Sequence, residues 1–130
     1  MRHDVFALLV PAALAAMTPA AAAPEKAKKI DWKDAKPVGK PQDCVPLMSI
    51  RETRVRDDQT IDFYLNGSKV LRNTLPHSCP QLGFEERFTY STSLSQLCST
   101  DIITVLVSPG ISRGASCGLG QFQEVTGAPK

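Results

Sequence analysis

Four cysteines constrain the fold of this chain more than any other feature: Cys44, Cys79, Cys98 and Cys117. An even number of cysteines in a small domain is typical of a disulfide framework built in an oxidising compartment. The sequence contains no C-x-x-C motif, which argues against thioredoxin-like redox chemistry and against a zinc ribbon. We therefore predict that the four cysteines form two disulfides.

Spacing alone does not decide which cysteines pair, because four cysteines allow three pairings. Chain topology favours a nested arrangement, with Cys79 bonded to Cys98 and Cys44 bonded to Cys117. The outer bond would tie the first strand to the last, and these strands are neighbours when a curled sheet closes. The chain-entropy model predicts that the outer, longer loop contributes more stability.

The N-terminus has the pattern of a secretory signal peptide, predicted over residues 1–22. A charged start is followed by the apolar run Val5 to Met17 and by the small residues Ala20 to Ala23. Pro11 and Pro19 interrupt the apolar run, which is shorter than the roughly 20 residues of a membrane anchor. We expect cleavage after Ala22, no membrane span after cleavage, and a periplasmic or secreted protein.

Residues 23–43 have the composition of a disordered leader. They contain six lysines and four acidic residues, and their large apolar residues are Ile30, Trp32 and Val38. Such a segment buries too little apolar surface to offset the entropy of ordering it. We therefore predict a β domain over residues 44–126, with a short tail at 127–130. Trp32 is interpreted as an incidental residue of the leader, with an anchor for a partner or for the domain's own surface as the alternative.

The predicted domain is nearly neutral, with seven basic and eight acidic residues between positions 44 and 126. A nucleic-acid-binding domain is expected to have a high pI and a basic face. The charge balance therefore argues against a nucleic-acid partner.

Short runs of β-forming residues separated by turn residues begin after Cys44. Residues 48–56 form the first predicted strand, and residues 60–65 alternate cleanly between apolar and polar side chains. Asn66-Gly67 then predicts a two-residue hairpin loop, since both residues tolerate positive φ. That loop would place Phe63 opposite Val70 and Ile61 opposite Arg72 on the inner face, with Asp62 partly exposed on the other.

The second half of the domain continues the pattern. We predict a strand over 87–91, a helical turn over 93–98, a central strand over 102–107, a flexible glycine loop, and a last strand over 117–125. The predicted fold is all-β: a small antiparallel barrel or strongly curled sheet of five or six short strands, with one short helical turn and two disulfides.

Four short runs carry a resemblance to a known family. They are Asp57-Asp58-x-Thr60-Ile61, Arg72-Asn73-x-Leu75-Pro76-x-x-Cys79-Pro80-x-Leu82, Leu97-Cys98-x-x-Asp101-x-Ile103 and Cys117-Gly118-Leu119-Gly120-x-Phe122. Over about residues 44–125 the chain resembles small exported proteobacterial proteins grouped as a domain of unknown function (DUF6491-like). The resemblance implies an exported bacterial domain and supplies no catalytic residue.

Arg54, Arg56 and Arg72 form the candidate anion-binding set. Arg54 and Arg56 share a strand face and Arg72 lies on the strand after next, so the three guanidinium groups are placed to bind envelope phosphates or uronates. The competing interpretation is a cross-strand ladder of ion pairs. We favour the ladder, because acidic residues are as close in sequence and as numerous: Glu52, Asp57, Asp58 and Asp62.

Candidate catalytic groups have weaker patterns. The run Gly110-Ile111-Ser112-Arg113-Gly114 matches a nucleophile elbow, but no helical pattern follows it and the histidine of the mature chain, His77, lies far upstream. Adjacent carboxylates at 57–58 and 85–86 point to opposite faces of a strand or are solvated in a turn. His77 and Cys79 would supply at most half of a zinc site, so we predict no metal and no cofactor.

The function favoured by the sequence is non-enzymatic binding or interaction in the bacterial envelope, with an envelope protein or an anionic polymer as the partner. A small hydrolase that uses Ser112 or a carboxylate pair is the first alternative. A secreted inhibitor is the second, for which a disulfide-braced exposed loop at residues 115–118 would be the reactive segment.

Overall fold

The structure, a computed structural model, describes residues 30–130. The predicted signal peptide and the first residues of the predicted leader lie outside the described residues. In chain order the strands are β1 (Lys36–Pro37), β2 (Cys44–Pro46), β3 (Ile50–Asp57), β4 (Thr60–Leu65), β5 (Val70–Thr74), β6 (Phe88–Tyr90), β7 (Gln96–Cys98), β8 (Ile102–Val107), β9 (Ser112–Gly118) and β10 (Phe122–Thr126). One short α-helix, α1, spans Leu82–Glu85, and two 3-10 helical turns span Trp32–Asp34 and Leu47–Ser49. No helix among residues 30–130 is long and apolar enough to cross a membrane.

The strands form three antiparallel sheets. The largest has the order β1-β10-β5-β4-β3, a second has the order β6-β8-β9, and β2 pairs with β7 in a two-stranded ribbon. The all-β prediction is confirmed, but the described strands do not close into a barrel. The prediction of five or six strands was too low, because very short strands such as β1 and β7 have no alternation long enough to be recognised.

The core lies between the five-stranded and three-stranded sheets. Phe63 on β4 makes edge contacts with Phe122 on β10 and Phe88 on β6, at ring-centroid distances of 5.2 and 6.4 Å. Leu82 of α1 is fully buried in the same cluster. Since strand side chains alternate between faces, one face of the large sheet builds this core and the other is free to carry polar groups.

The hairpin between β4 and β5 has a different register from the predicted one. Its loop has three residues, because the Leu65 amide donates to the Lys69 carbonyl at 2.9 Å, and Gly67 takes the positive φ of +88°. Asn66 is instead bonded to the end of the neighbouring strand, through Ser49 O and Met48 O.

The one-residue shift changes which side chains meet. Asp62, not Ile61, lies opposite Arg72, and Leu71 lies opposite Phe63 on the inner face. Asp62 is fully buried rather than partly exposed. A shift of one residue moves a whole strand's side chains to the other face, so this register decides the character of the outer face.

The nested disulfide pairing is wrong. Cys44 bonds to Cys98, and Cys79 bonds to Cys117. Cys44 lies directly opposite Cys98 in the β2–β7 ribbon, which places their side chains next to each other. The last strand, β10, lies between β5 and β1, and β1 precedes the first cysteine, so the topological argument joined the wrong pair of strands.

The segment predicted as a helical turn at 93–98 ends in β7. Its Leu97 is fully buried and lies opposite Val45. Pairing with β2 gives hydrogen-bond partners to backbone groups that a single helical turn would leave unpaired. The helix forms instead at α1. There the amide of Gly83 donates to the Asp58 side chain at 2.7 Å.

The predicted glycine loop and last strand are also corrected. Residues 112–118 form β9, paired with β8, and a second strand, β10, follows after a short connection. Asn73 fixes that connection: its side chain donates to Gly120 O at 2.7 Å and accepts from Gly120 N at 2.8 Å. A Cβ on Gly120 would lie 2.2 Å from Thr74 O, which explains the need for glycine there.

The disordered-leader prediction does not hold for residues 36–42. Residues 36 and 37 pair with β10 as β1, and Gln42 makes an isolated bridge to Phe122. Main-chain pairing to a sheet edge needs no apolar side chains, so composition did not reveal it. The domain described here therefore begins before Cys44.

Candidate functional site

The outer face of the five-stranded sheet is organised around one buried carboxylate. Asp62 on β4 is 0% exposed and lies between two guanidinium groups. Arg72 on β5 makes a bidentate contact, at 2.7 Å from Nε to Oδ1 and at 3.0 Å from Nη2 to Oδ2, and Arg56 on β3 donates from Nε to Oδ2 at 2.9 Å. A buried charge needs such partners to remain ionised.

Aromatic residues extend this network on both sides. The Arg56 guanidinium also donates to the Tyr64 hydroxyl at 2.7 Å. The Arg54 guanidinium lies 4.7 Å from the Tyr64 ring centroid, and the Arg72 guanidinium lies 5.3 Å from that of Trp32. These are cation–π distances, so Trp32 contacts the domain's own surface, contrary to its interpretation as incidental.

The three candidate arginines therefore have two different roles. Arg56 and Arg72 belong to the ion pairs with Asp62, and their side chains are each 13% exposed. Arg54 contacts Glu52 at 3.3 Å and is 34% exposed. The structure brings together the ladder with Asp62 and Glu52; Asp57 and Asp58 are engaged elsewhere.

A groove of about 940 Å³ runs beside Arg54 and Tyr64. It is lined by residues from β3, by the β4–β5 hairpin, by the end of β10 and by the segment that follows β10. Its charged lining residues are the cations Arg51, Arg54, Lys69 and Lys130 and the anions Glu52 and Glu124. Cations exceed anions in this lining, which gives the groove a net positive charge.

Ion pairs within the lining neutralise part of that positive charge. Glu52 lies 3.8 Å from Arg51 and 3.3 Å from Arg54, and Glu124 lies 3.8 Å from Lys69. These pairs are solvent-exposed and therefore weak, so a ligand carboxylate competes with them at low cost. Sequence reasoning missed Arg51, Lys69 and Lys130, because only the tertiary structure brings β3, the hairpin and the chain after β10 together.

Residues 127–130 cross the outer face next to this groove. Gly127 turns the chain with φ +80°, and Ala128 packs on the small cluster of Tyr64, Val70 and Val125. The Tyr64 hydroxyl donates a hydrogen bond to the Pro129 carbonyl. The predicted tail is therefore part of the domain surface and covers Tyr64, which is 4% exposed.

Three of the four carboxylates considered for catalysis accept hydrogen bonds from backbone amides. Asp57 Oδ1 accepts from the Gln59 amide at 2.8 Å, and Asp58 Oδ1 accepts from the Gly83 amide. Glu85 accepts from the Ser108 amide at 3.3 Å and lies 3.9 Å from Arg87. Asp58 and Gly83 also line an open cavity of about 500 Å³ beside Ser78.

The candidate nucleophile does not lie in an elbow. Ser112 begins β9, so a strand follows it where a nucleophile elbow requires a helix. The segment considered as an inhibitor loop, residues 115–118, lies within the same strand, and Cys117 is bonded to Cys79. His77 lies on the exposed connection between β5 and α1.

The outer-face groove is thus the place where charged, aromatic and apolar side chains from distant parts of the chain meet. Comparison adds no relative to this description: no family model, curated protein or solved structure matches the chain. The resemblance to small exported proteobacterial proteins therefore stays a prediction.

Proposed function

We propose that this protein is a non-enzymatic binding module of the bacterial envelope, and that the groove on the outer face of its large sheet is the ligand site. The observation that supports this proposal is the lining of the groove. Arg51 and Arg54 on β3, Lys69 in the hairpin and Lys130 after β10 border one concave surface. Ligand sites are typically concave, with a few convergent polar groups.

The charge of the lining favours a ligand with several carboxylates. Arginine binds carboxylates through paired N–H donors, whereas lysine acts as a point charge with three donors. An elongated polycarboxylate satisfies several of these cations at once. Two sources share this chemistry, namely an acidic polypeptide and a uronate polymer.

The hydrogen bonds and ion pairs of the acidic side chains support binding without catalysis. Asp58 and Glu85 are bonded to backbone amides of α1 and of the β8–β9 turn, and Asp62 is bonded to two arginines. Groups held in this way stabilise the scaffold. In the proposed function the groove recognises its ligand by charge and shape.

An extracytoplasmic location is part of the proposal. The two disulfides support it, because structural disulfides form and persist in oxidising compartments. The signal-peptide pattern of residues 1–22 agrees with export to the periplasm or beyond.

Titration calorimetry with two polycarboxylate probes, poly-L-glutamate and polygalacturonate, tests the proposal at low and high salt. We expect at least one probe to bind, with an affinity that falls as salt rises. The double variant Arg54→Gln/Lys69→Gln should weaken binding by about tenfold or more, since it removes two charged contacts.

The matched control is Lys40→Gln/Arg113→Gln, which removes the same charge from exposed positions outside the groove lining. It should retain the affinity of the parent protein apart from a small salt-dependent loss. Absence of binding to both probes would overturn the proposal. Equal losses in the two double variants would also overturn it, because they would show that only net charge matters.

A further inference from the structure

The segment after β10 shows which contacts the outer face accepts. Ala128 packs against Tyr64, Val70 and Val125, and Pro129 O accepts a hydrogen bond from the Tyr64 hydroxyl. Tyr64 lies opposite Val70, and Val70 lies opposite Val125, so the three side chains form one row across β4, β5 and β10. An extended chain with a small side chain and a free carbonyl fits this row.

Residues 127–130 pack on the apolar row, but their charge does not complement the cations around it. The sequence after Gly127 is Ala-Pro-Lys, and Lys130 adds a fourth cation to the lining that already includes Arg51, Arg54 and Lys69. Like charges that line one groove oppose one another. The groove lining therefore has a charge complementary to an acidic chain, whereas the segment that borders it carries a basic side chain, Lys130.

We propose that residues 127–130 are a displaceable border of the groove, and that an extended acidic peptide of a partner protein, with a small-residue–proline step, takes their place on the outer face. The peptide would place its small side chain on the Tyr64–Val70–Val125 row and its carbonyl at the Tyr64 hydroxyl. Its carboxylates would face Arg51, Arg54 and Lys69. This inference rests on the proposed function and names the ligand class of the same groove.

Gly127 provides a way to displace the segment without changing the Tyr64–Val70–Val125 row or the cations of β3 and of the hairpin. Its φ is +80°, and a Cβ there would meet nothing within 4 Å. Gly127→Val disfavours the turn through the backbone alone, because a β-branched residue rarely adopts positive φ. Gly127→Asn is the matched control, since asparagine tolerates this conformation.

The first readout is the accessibility of Tyr64 to nitration. The chain has two tyrosines, so a Tyr90→Phe background leaves Tyr64 as the sole reporter. We expect Gly127→Val to raise the nitration rate by up to about tenfold over Gly127→Asn, following the shift in the seated population. Ala128→Asp, which places a carboxylate on the apolar row, should act in the same direction.

The second readout is peptide affinity by calorimetry, with acetyl-Glu-Ala-Pro-Glu-Glu-amide as the probe and the all-lysine analogue acetyl-Lys-Ala-Pro-Lys-Lys-amide as its control. Unseating the segment raises the fraction of competent protein, so Gly127→Val should bind the acidic probe up to about tenfold more tightly than Gly127→Asn. The lysine analogue should bind neither protein.

The two experiments separate the possible failures. Equal nitration rates in the Val and Asn variants would show that residues 127–130 do not cover Tyr64 and would overturn the inference, whatever the groove binds. Faster nitration with no gain for the acidic peptide would overturn the peptide occupant. Binding of polygalacturonate by the same protein would then leave the proposed function standing with a uronate polymer as the ligand.

Discussion

The two faces of the five-stranded sheet bury neighbouring residues by opposite means. Phe63 and Asp62 are adjacent on β4, and both are 0% exposed. Phe63 faces the core and packs against two aromatic rings, whereas Asp62 faces outward and is bonded by two guanidinium groups. On the inner face, residues are buried by apolar packing. On the outer face, Asp62 is buried by its ion pairs and by the chain segments that pack over that face.

This difference indicates which face is rigid and on which face a ligand can replace existing contacts. Apolar packing in the core is dense, so side chains there have no alternative partners. On the outer face the cover consists of Ala35 and Ala128 on the Tyr64 row and of Trp32 on Arg72. Small contacts of this kind are easily replaced by a ligand, which is why the proposed site lies on this face.

The largest effect is expected from the inner face. Phe63→Ala should lower the free energy of unfolding by about 3–5 kcal/mol, because it removes a fully buried ring and leaves a cavity. Phe84→Ala is the matched control, since Phe84 is 86% exposed on α1, and it should change stability by less than about 0.5 kcal/mol. Urea unfolding followed by circular dichroism measures both; similar losses would contradict the assignment of the core.

Removal of the outer carboxylate should cost about 3 kcal/mol, since Asp62→Ala leaves two guanidinium groups partly buried without their partner. Replacing the whole network, by Arg56→Met, Asp62→Leu and Arg72→Met together, should restore most of that loss, because apolar groups of similar size need no partner. Chemical denaturation of the single and triple variants decides the point. A triple variant less stable than the single one would show that the ion pairs stabilise the fold more than packing does.

The next largest effect on stability is expected at the connection between β9 and β10. Gly120→Ala is expected to cost about 2 kcal/mol, because the new Cβ would force Thr74 O and the Asn73 hydrogen bonds apart. Gly118→Ala, where a Cβ meets nothing within 4 Å, should be neutral or slightly stabilising. Thermal unfolding of the two variants compares them directly; equal destabilisation would disprove the close approach at Gly120.

The smallest effect is expected at the groove. Arg54→Gln should cost less than about 1 kcal/mol, since its ion pair with Glu52 is exposed, and the loss should shrink at high salt. Arg72→Gln should cost about 1.5–3 kcal/mol and respond little to salt, because its partner Asp62 is fully buried. Unfolding at two salt concentrations tests this contrast. A salt-insensitive loss at Arg54 would place it in the structural network instead of the groove.

Local patterns predicted the local parts of this structure. The strand over residues 60–65 is β4, that over 102–107 is β8, and the strand over 87–91 contains β6. The presence of two disulfides and the all-β class also followed from the sequence. The strands follow from alternation and β-branching among neighbouring residues, and the number of disulfides follows from the number of cysteines.

Part of the candidate site was also within reach of the sequence. Asp62 is one of four acidic residues that the sequence offers as ladder partners for the three arginines, and the ladder is favoured over ligand capture. The groove was not predicted, because Lys69 belongs to a hairpin loop and Lys130 to a presumed tail. No spacing rule relates either residue to Arg51 on β3.

The sequence by itself therefore determined the class of the fold, the approximate positions of β3, β4 and β8 and the number of its disulfides, because alternation, β-branching and the cysteine count need no tertiary structure. Tertiary structure decided the cysteine partners, the hairpin register and the placing of residues 36–42 and 127–130 against the sheet. Each of these depends on contacts between distant segments, for which many pairings are sterically possible. The free energy of the whole domain, and not any local preference, selects one of them.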